Sequence, residues 1–217
     1  MAKECRKRAA LFDLDGVLID TEPVYTRIWN DIDEVFPTGV DGFALRIKGT
    51  TLPNILGTYF PDPDTQDGVR RMLARSEETM EYPLFDGVMT FLNELKAAGI
   101  PAAIVTSSGD AKMERLFGAV PGFRECFADV ITDSRVSRSK PDPEGYILGA
   151  RALGAEPCDC FVFEDSFNGL RAGRASGATV IALSTSNPRE SLEELADAVI
   201  DGFTDFDVEA MLAISKL

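Results

Sequence analysis

"ALFDLDGVLIDTEPVY", residues 10–25, ends an apolar run in two acids, Asp13 and Asp15, set one residue apart and followed at once by Gly16. A short, continuously apolar run reads as a strand covered on both faces. Alternation along a strand then turns Asp13 and Asp15 to the same side of its tip, with Asp20 just beyond. Charges gathered at a strand tip ask what they hold.

Working outward, five more runs of the same type recur: "IPAAIVTSS" (100–108), "FADVITDS" (127–134), "CFVFEDS" (160–166), "TVIALST" (179–185) and "AVIDGF" (198–203). Helical patterns separate them. "DGVMTFLNELKAAG" stops at Gly99, "DPEGYILGARALG" at Gly154 and "SFNGLRAGRASG" at Gly177, each with an acid or Ser near its start. Strands alternating with helices at this spacing predict an α/β fold, a doubly wound parallel sheet of Rossmann-like order. Gly169, Gly173 and Gly177, four residues apart, read as a small-residue stripe that lets one helix lie close to the sheet.

Residues 22–82 break the rhythm. "PVYTRIWNDIDEVF", "TLPNILGTYF" and "DTQDGVRRMLARSEETMEY" carry helical periodicity with no strand-like run between them. The expectation is an all-helical domain at 20–85, inserted into an α/β core of residues 1–19 and 86–217, with hinges near Ile19–Glu22 and Tyr82–Asp86.

Composition narrows the chemistry. The 217 residues carry a formal charge of −14, which argues against nucleic acid or an anionic membrane as partner. No stretch approaches the ~18 apolar residues of a membrane span, and Asp13 and Asp15 interrupt what would otherwise imitate a secretory signal. Four cysteines without a C-x-x-C pair fit reduced thiols and a cytoplasmic protein, with Cys158 and Cys160 as bystanders. There is no histidine, which removes Ser-His-Asp triads, HExxH zinc sites and Cys-His proteases together. No C-x5-R phosphatase loop is present either, so acid–base work falls to carboxylates, lysine, tyrosine or metal-bound water.

In open α/β sheets ligands bind at the carboxyl ends of the strands. Asp13 and Asp15 close the first strand and Thr106 and Ser107 the second, Lys140 follows the third, and Glu164 and Asp165 close the fourth. Crowded carboxylates without nitrogen or sulfur donors suit Mg²⁺. Its ligands are read as Asp13, Asp165 and the backbone carbonyl of Asp15, with Glu164 adjusting the outer shell. An Asp approaching a phosphate dianion meets a repulsion of roughly 4 kcal/mol per unit-charge pair at an effective dielectric of 20. Mg²⁺ and Lys140 oppose it, and Asp13 can then attack phosphorus as a nucleophile. Asp15 can protonate the leaving oxygen and then accept a proton from water. Thr106 is placed to donate to a phosphoryl oxygen, and the amides of residues 107–110, including Ser107 and Ser108, form an anion site at the start of a helix.

"FDLDGVLIDTEP", "VTSS", "KPDPEGY" and "FEDSFNG" resemble, in order and context, the four motifs of the haloacid dehalogenase superfamily of phosphohydrolases. The resemblance implies Asp13 as nucleophile, Asp15 as acid/base, Thr106 and Lys140 as phosphoryl contacts, and Glu164 and Asp165 at the Mg²⁺ site. It also implies a helical cap that opens for exchange and closes to exclude water. The superfamily's dehalogenases lack a second Asp two residues after the nucleophile, so Asp15 points to phosphoryl transfer.

The chain looks most like the β-phosphoglucomutase-type subgroup, which also holds sugar-phosphate phosphatases. Where the mutases carry a cap His this chain has Tyr25, and Gly109-Asp110 replace their Lys-Asn. The expectation is a Mg²⁺-dependent phosphatase of a small phosphorylated metabolite, a sugar phosphate. A hexose-phosphate mutase is the enzymatic alternative, and a non-catalytic phosphate-binding protein the alternative of another class. A monomer or weak dimer is expected. Glu22, in the "DTEP" stretch, and Lys48, near Arg46 in the cap, are candidate substrate contacts.

Other readings compete. An EF-hand fails because Gly16 falls at loop position four and Val24 where Glu belongs. Glu164 alternatively reads as a helix cap, and "DFD" (205–207) as capping for a terminal helix.

Overall fold

The computed structural model describes residues 8–47 and 52–214. The chain divides into two compact units, one comprising Met1–Asp20 with Pro83–Leu217 and the other Thr21–Tyr82. Against the sequence reading of 20–85, the second unit is shorter by one residue at its start and three at its end.

The first unit is built on six parallel strands: β1 (Ala9–Phe12), β2 (Ala102–Val105), β3 (Asp129–Ile131), β4 (Cys160–Glu164), β5 (Thr179–Leu183) and β6 (Ala198–Ile200). They lie in the order β3-β2-β1-β4-β5-β6, so the chain runs outward on one side of β1 and then restarts on the other. Every residue of β1, β2, β4 and β5 is buried, which is why these strands read as unbroken apolar runs. Packed around them are α5 (Val88–Ala97), α6 (Asp110–Ala119), α7 (Glu144–Ala152), α8 (Phe167–Ser176) and α9 (Val208–Ala213). Among the described residues, α1 (Glu22–Val35), α2 (Phe43–Arg46), α3 (Leu52–Tyr59) and α4 (Pro63–Glu78) belong to the second unit.

The period of two along the strands sorts the core into two layers. Leu11 of β1 is in register with Val162 of β4 and Ala103 of β2, and these cluster with Tyr146 and Ala150 of α7 and Ala172 of α8. Phe12, one residue on, is in register with Phe163 and stacks on it at 4.6 Å, with Phe91 of α5 meeting both rings edge-on. Gly99, Gly154 and Gly177 all take positive φ just past the ends of their helices, as the sequence predicts. The proposed glycine stripe needs one correction. A β-carbon on Gly173 would lie 3.0 Å from Val162, but nothing lies within 4 Å of Gly177, which serves only as the helix stop.

The second unit has its own apolar centre, with Phe43 of α2 meeting Trp29 of α1 and Phe60 edge-on at 5.9 Å. Asp62 caps α4 by accepting from the amide and hydroxyl of Thr65.

Both crossings between the units leave the first unit side by side. Asp20 N donates to Pro83 O at 2.8 Å, Phe85 N to Leu18 O at 3.1 Å, and Ile19 bridges Leu84 antiparallel.

Candidate active site

The order of the strands places β1 and β4 together at the point where the chain reverses direction across the sheet, the position at which doubly wound sheets open a crevice. Asp13 follows β1 directly, and its amide donates to Phe163 O at 3.0 Å, which ties the two strand ends together. Lys140, from the loop between β3 and α7, reaches back to this point. Its Nζ donates to Asp13 Oδ1, to Glu164 Oε1 at 2.7 Å and to Val105 O at 3.0 Å. Asp13, Glu164 and Asp165 each bring a carboxylate oxygen within 4.8 Å of the others.

Glu164 has no exposure, and five donors crowd its two oxygens. Lys140 and the Tyr146 hydroxyl (2.9 Å) take Oε1, while the Asp165 amide, the Ser166 amide and the Ser166 hydroxyl take Oε2 at 3.0, 3.0 and 2.9 Å. A carboxylate offers about four lone-pair sites, so none is left over for a further partner. Glu164 is therefore the anchor of the site. The cap of α8 is Ser166, whose hydroxyl accepts from Gly169 N, and Asp207 caps α9 as expected.

Asp165 is held from behind. Asn187 donates to its backbone carbonyl at 2.9 Å, and Ser186 hydrogen-bonds its carboxylate. Gly16, at φ +80°, passes so close that a β-carbon there would overlap the Asp165 carboxylate and lie 2.9 Å from Ser186 Oγ. Thr185 donates its hydroxyl to Gly16 O from the same loop.

Asp15 departs from the strand-alternation reading. The strand ends at Phe12, and the backbone turns at Leu14, whose carbonyl accepts from Val17, Leu18 and Ile19. Side-chain alternation therefore does not carry through to Asp15. Its carboxylate instead meets α6, where Lys112 Nζ contacts its two oxygens at 2.7 and 2.8 Å and Ser108 Oγ donates at 3.0 Å.

Thr106 is buried after β2, and its hydroxyl oxygen accepts from Ser108 N at 3.0 Å. That bond takes one of the amides assigned to the anion site, and the Ser108 hydroxyl goes to Asp15. Ser107 is exposed. Glu22 is exposed in the first turn of α1, in the second unit, and Lys48 lies outside the described residues. Sequence reasoning missed Lys112, the supporting loop 185–187 and the part played by Tyr146. Tyr146 stood in the quoted "KPDPEGY" stretch, which is the one signal that could have found it.

The electrostatics follow from crowding. Burial pushes the Asp13 carboxyl well above its ordinary value; Lys140 opposes this, while Glu164 and Asp165 add to it. Asp165 rises to about 7, through burial first and the neighbouring Glu164 second. Burial works against the Lys140 charge, but Asp13 and Glu164 outweigh it and hold the ammonium above its usual range. Tyr146 is driven upward by burial, then by Glu164 and Asp13. Among the described residues, Asp13, Asp15, Glu164 and Asp165 include pairings with two ammonium groups, Lys140 and Lys112. Fully ionised, the set retains two negative charges, which one divalent cation balances. An oxygen-only cluster of this kind suits a hard cation.

Clustered carboxylates, a buried ammonium and an oxygen-only set of candidate cation ligands at the switch point of a doubly wound sheet fit the phosphoryl-transfer class of hydrolases. The chain matches the family model of haloacid dehalogenase-like hydrolases over residues 7–177, and it belongs to that family. It is 32% identical over 196 residues to hexitol phosphatase A of Escherichia coli strain K12, covering 88% of this chain and 89% of that protein. It is 31% identical over 210 residues to the bifunctional riboflavin kinase/FMN phosphatase of Arabidopsis thaliana, covering 92% of this chain and spanning 54%, about half, of that protein. A haloacid dehalogenase family hydrolase from Deinococcus radiodurans R1, solved with bound phosphate and sodium, superposes with a TM-score of 0.77 at 26% identity. That match covers 96% of this chain and 98% of the other. Among the described residues no helix is long and apolar enough to cross a membrane.

Proposed function

We propose that the chain hydrolyses a small phosphomonoester, a hexose or hexitol phosphate, through a phosphoryl group carried on Asp13. The observation that supports this most is the convergence on Asp13. One of its oxygens accepts from Lys140, whose ammonium also pairs with Glu164, and Asp165 lies within the same cluster. Asp13 Oδ forms a bond to phosphorus as the bond to the sugar oxygen breaks. The sugar oxygen takes a proton from the Asp15 carboxyl. Water then attacks phosphorus, gives a proton to Asp15 and releases Asp13 and inorganic phosphate. The Thr106 hydroxyl donates to a phosphoryl oxygen, and the Lys140 ammonium, whose three N–H groups are engaged by Asp13, Glu164 and Val105 O, offsets the developing charge from beside Asp13.

Asp13, Asp165 and the Asp15 backbone carbonyl fit as ligands for Mg²⁺, and Glu164 fits as the group that orients Asp165 and Lys140, since its own oxygens are already engaged. Mg²⁺ bound there would neutralise the phosphoryl dianion. Among relatives, hexitol phosphatase A supports the substrate class.

The test is phosphate release over a panel of hexose, hexitol and pentitol phosphates with Mg²⁺. Wild type is expected to release phosphate, and Asp13→Asn to lose roughly three orders of magnitude or more. Equal background rates for the two would overturn hydrolysis and favour a binding protein. Conversion of β-glucose 1-phosphate to glucose 6-phosphate without free phosphate would favour the mutase.

A further inference from the structure

Lys112 breaks a local rule. It sits in the first turn of α6, two residues after Asp110, where the helix end carries partial positive charge and a cation is disfavoured by about 0.3–1 kcal/mol. Its ammonium reaches both oxygens of Asp15, at 2.7 and 2.8 Å, across 97 residues of sequence. Ser108, which leads into α6, adds a third hydrogen bond at 3.0 Å. The lysine side chain is sheltered at 15% exposure, whereas Asp15 keeps 36%. Asp15 is thus gripped from the α6 side while part of its side chain stays exposed.

Resting on the proposed hydrolase reading, we propose that Lys112 is a positioning residue for the leaving-group side of the reaction. It fixes the Asp15 carboxyl so that its exposed part meets the departing oxygen. In that step the O–H bond of the Asp15 carboxyl breaks and an O–H bond forms on the leaving oxygen. The electron pair stays on Asp15, whose carboxylate the Lys112 ammonium and the Ser108 hydroxyl then hold. The two reacting carboxylates are in this way each served by their own ammonium: Lys140, following β3, grips Asp13, and Lys112, from α6, grips Asp15. Asp110 two residues earlier does not compete for Lys112, because its oxygens accept from Thr132 and Ser134 at 2.6 and 2.8 Å.

Leaving groups supply the test. A sugar or glycerol phosphate needs a proton on the departing oxygen, whereas p-nitrophenyl phosphate departs as a stable anion. Lys112→Met should lower kcat for alkyl phosphates roughly 10- to 100-fold, within the range of general-acid catalysis. It should lower kcat for p-nitrophenyl phosphate less than about threefold, and Lys112→Arg should recover part of the alkyl rate. Combined with Asp15→Asn, Lys112→Met should add no further loss on alkyl phosphates, because the two act as one unit. Equal losses on both ester classes, no loss on alkyl esters, or additivity with Asp15→Asn would each overturn the positioning role. If wild type itself turns over neither class above Asp13→Asn, hydrolysis fails and this inference falls with it; an active wild type with any of the three results above removes the inference alone.

Discussion

Gly169 lies against the Glu164 carboxyl, and a methyl group there would fall well inside van der Waals contact of both carboxyl oxygens. Glu164 is buried and engaged by five donors, so it has nowhere to retreat. Gly169→Ala should therefore destabilise by about 1–3 kcal/mol or more and weaken the grip on Lys140. Gly173→Ala, whose methyl meets the valine side chains of Val162 and Val180 at 3.0–3.1 Å, should cost less. Gly118→Ala on the exposed part of α6, with nothing within 4 Å, should stabilise by about 0.4–1 kcal/mol. Urea unfolding of the three variants at unchanged m-value checks the order. Asp165 yields a second prediction at this scale. With its carboxyl raised to about 7, a proton competes with a cation below that pH. Mg²⁺ affinity measured by calorimetry should fall as the pH drops through 7, by about tenfold or more per pH unit well below it, because the Asp13 carboxyl is raised as well. Equal affinity at pH 8 and 5.5 would contradict the assignment of Asp165 as a ligand.

The segment carrying Lys140 shows how an element without regular structure is made firm. Residues 137–143 are fastened by the first residue of α7: Glu144 accepts from the amides of Ser137 (3.1 Å) and Arg138 (2.8 Å), and Arg138 pairs with Asp142 at 3.0 Å. These backbone bonds, that of Ser137 first, hold the Glu144 carboxyl below its ordinary value. A depressed carboxylate contributes stability that is complete above its unfolded value, near 4.3, and is lost as the pH falls through the lower folded value. Amide exchange at Ser137 and Arg138 should therefore accelerate, beyond the intrinsic pH effect, as the pH is lowered below about 4. Glu144→Gln should show the weaker protection already at pH 6, with no such pH step. The same device recurs on the other side of the site, where Ser186 and Asn187 after β5 hold Asp165 from outside its own motif.

At the scale of the molecule, the second unit enters and leaves through two adjacent chain crossings. Asp20 and Pro83 are joined by a 2.8 Å hydrogen bond, so the first unit closes around the insertion as though around a hairpin loop. Loop-closure entropy changes only slowly with length, so exchanging Thr21–Tyr82 for a short glycine-serine turn should leave the first unit able to fold. Circular dichroism and a single cooperative thermal transition are expected from that shortened chain, and retained Mg²⁺ binding would place the cation ligands within the first unit. Loss of a cooperative transition would show that the second unit is needed for folding.

Strand number, the doubly wound alternation, the helix stops at Gly99, Gly154 and Gly177, and the four acid-bearing or lysine-bearing segments were legible along the chain, because burial on both faces, helix termination and strand-end polarity leave local signatures. The meeting of Lys140 with Asp13 and Glu164 followed from the rule that ligands gather at carboxyl strand ends. Only the tertiary structure turned Asp15 toward α6, joined it to Lys112, saturated Glu164 with five donors and set residues 185–187 behind Asp165. Those pairings depend on the path of a turn and on distances between segments up to 97 residues apart, and residue type and periodicity record what a side chain can bind but not which partner the folded chain brings within reach.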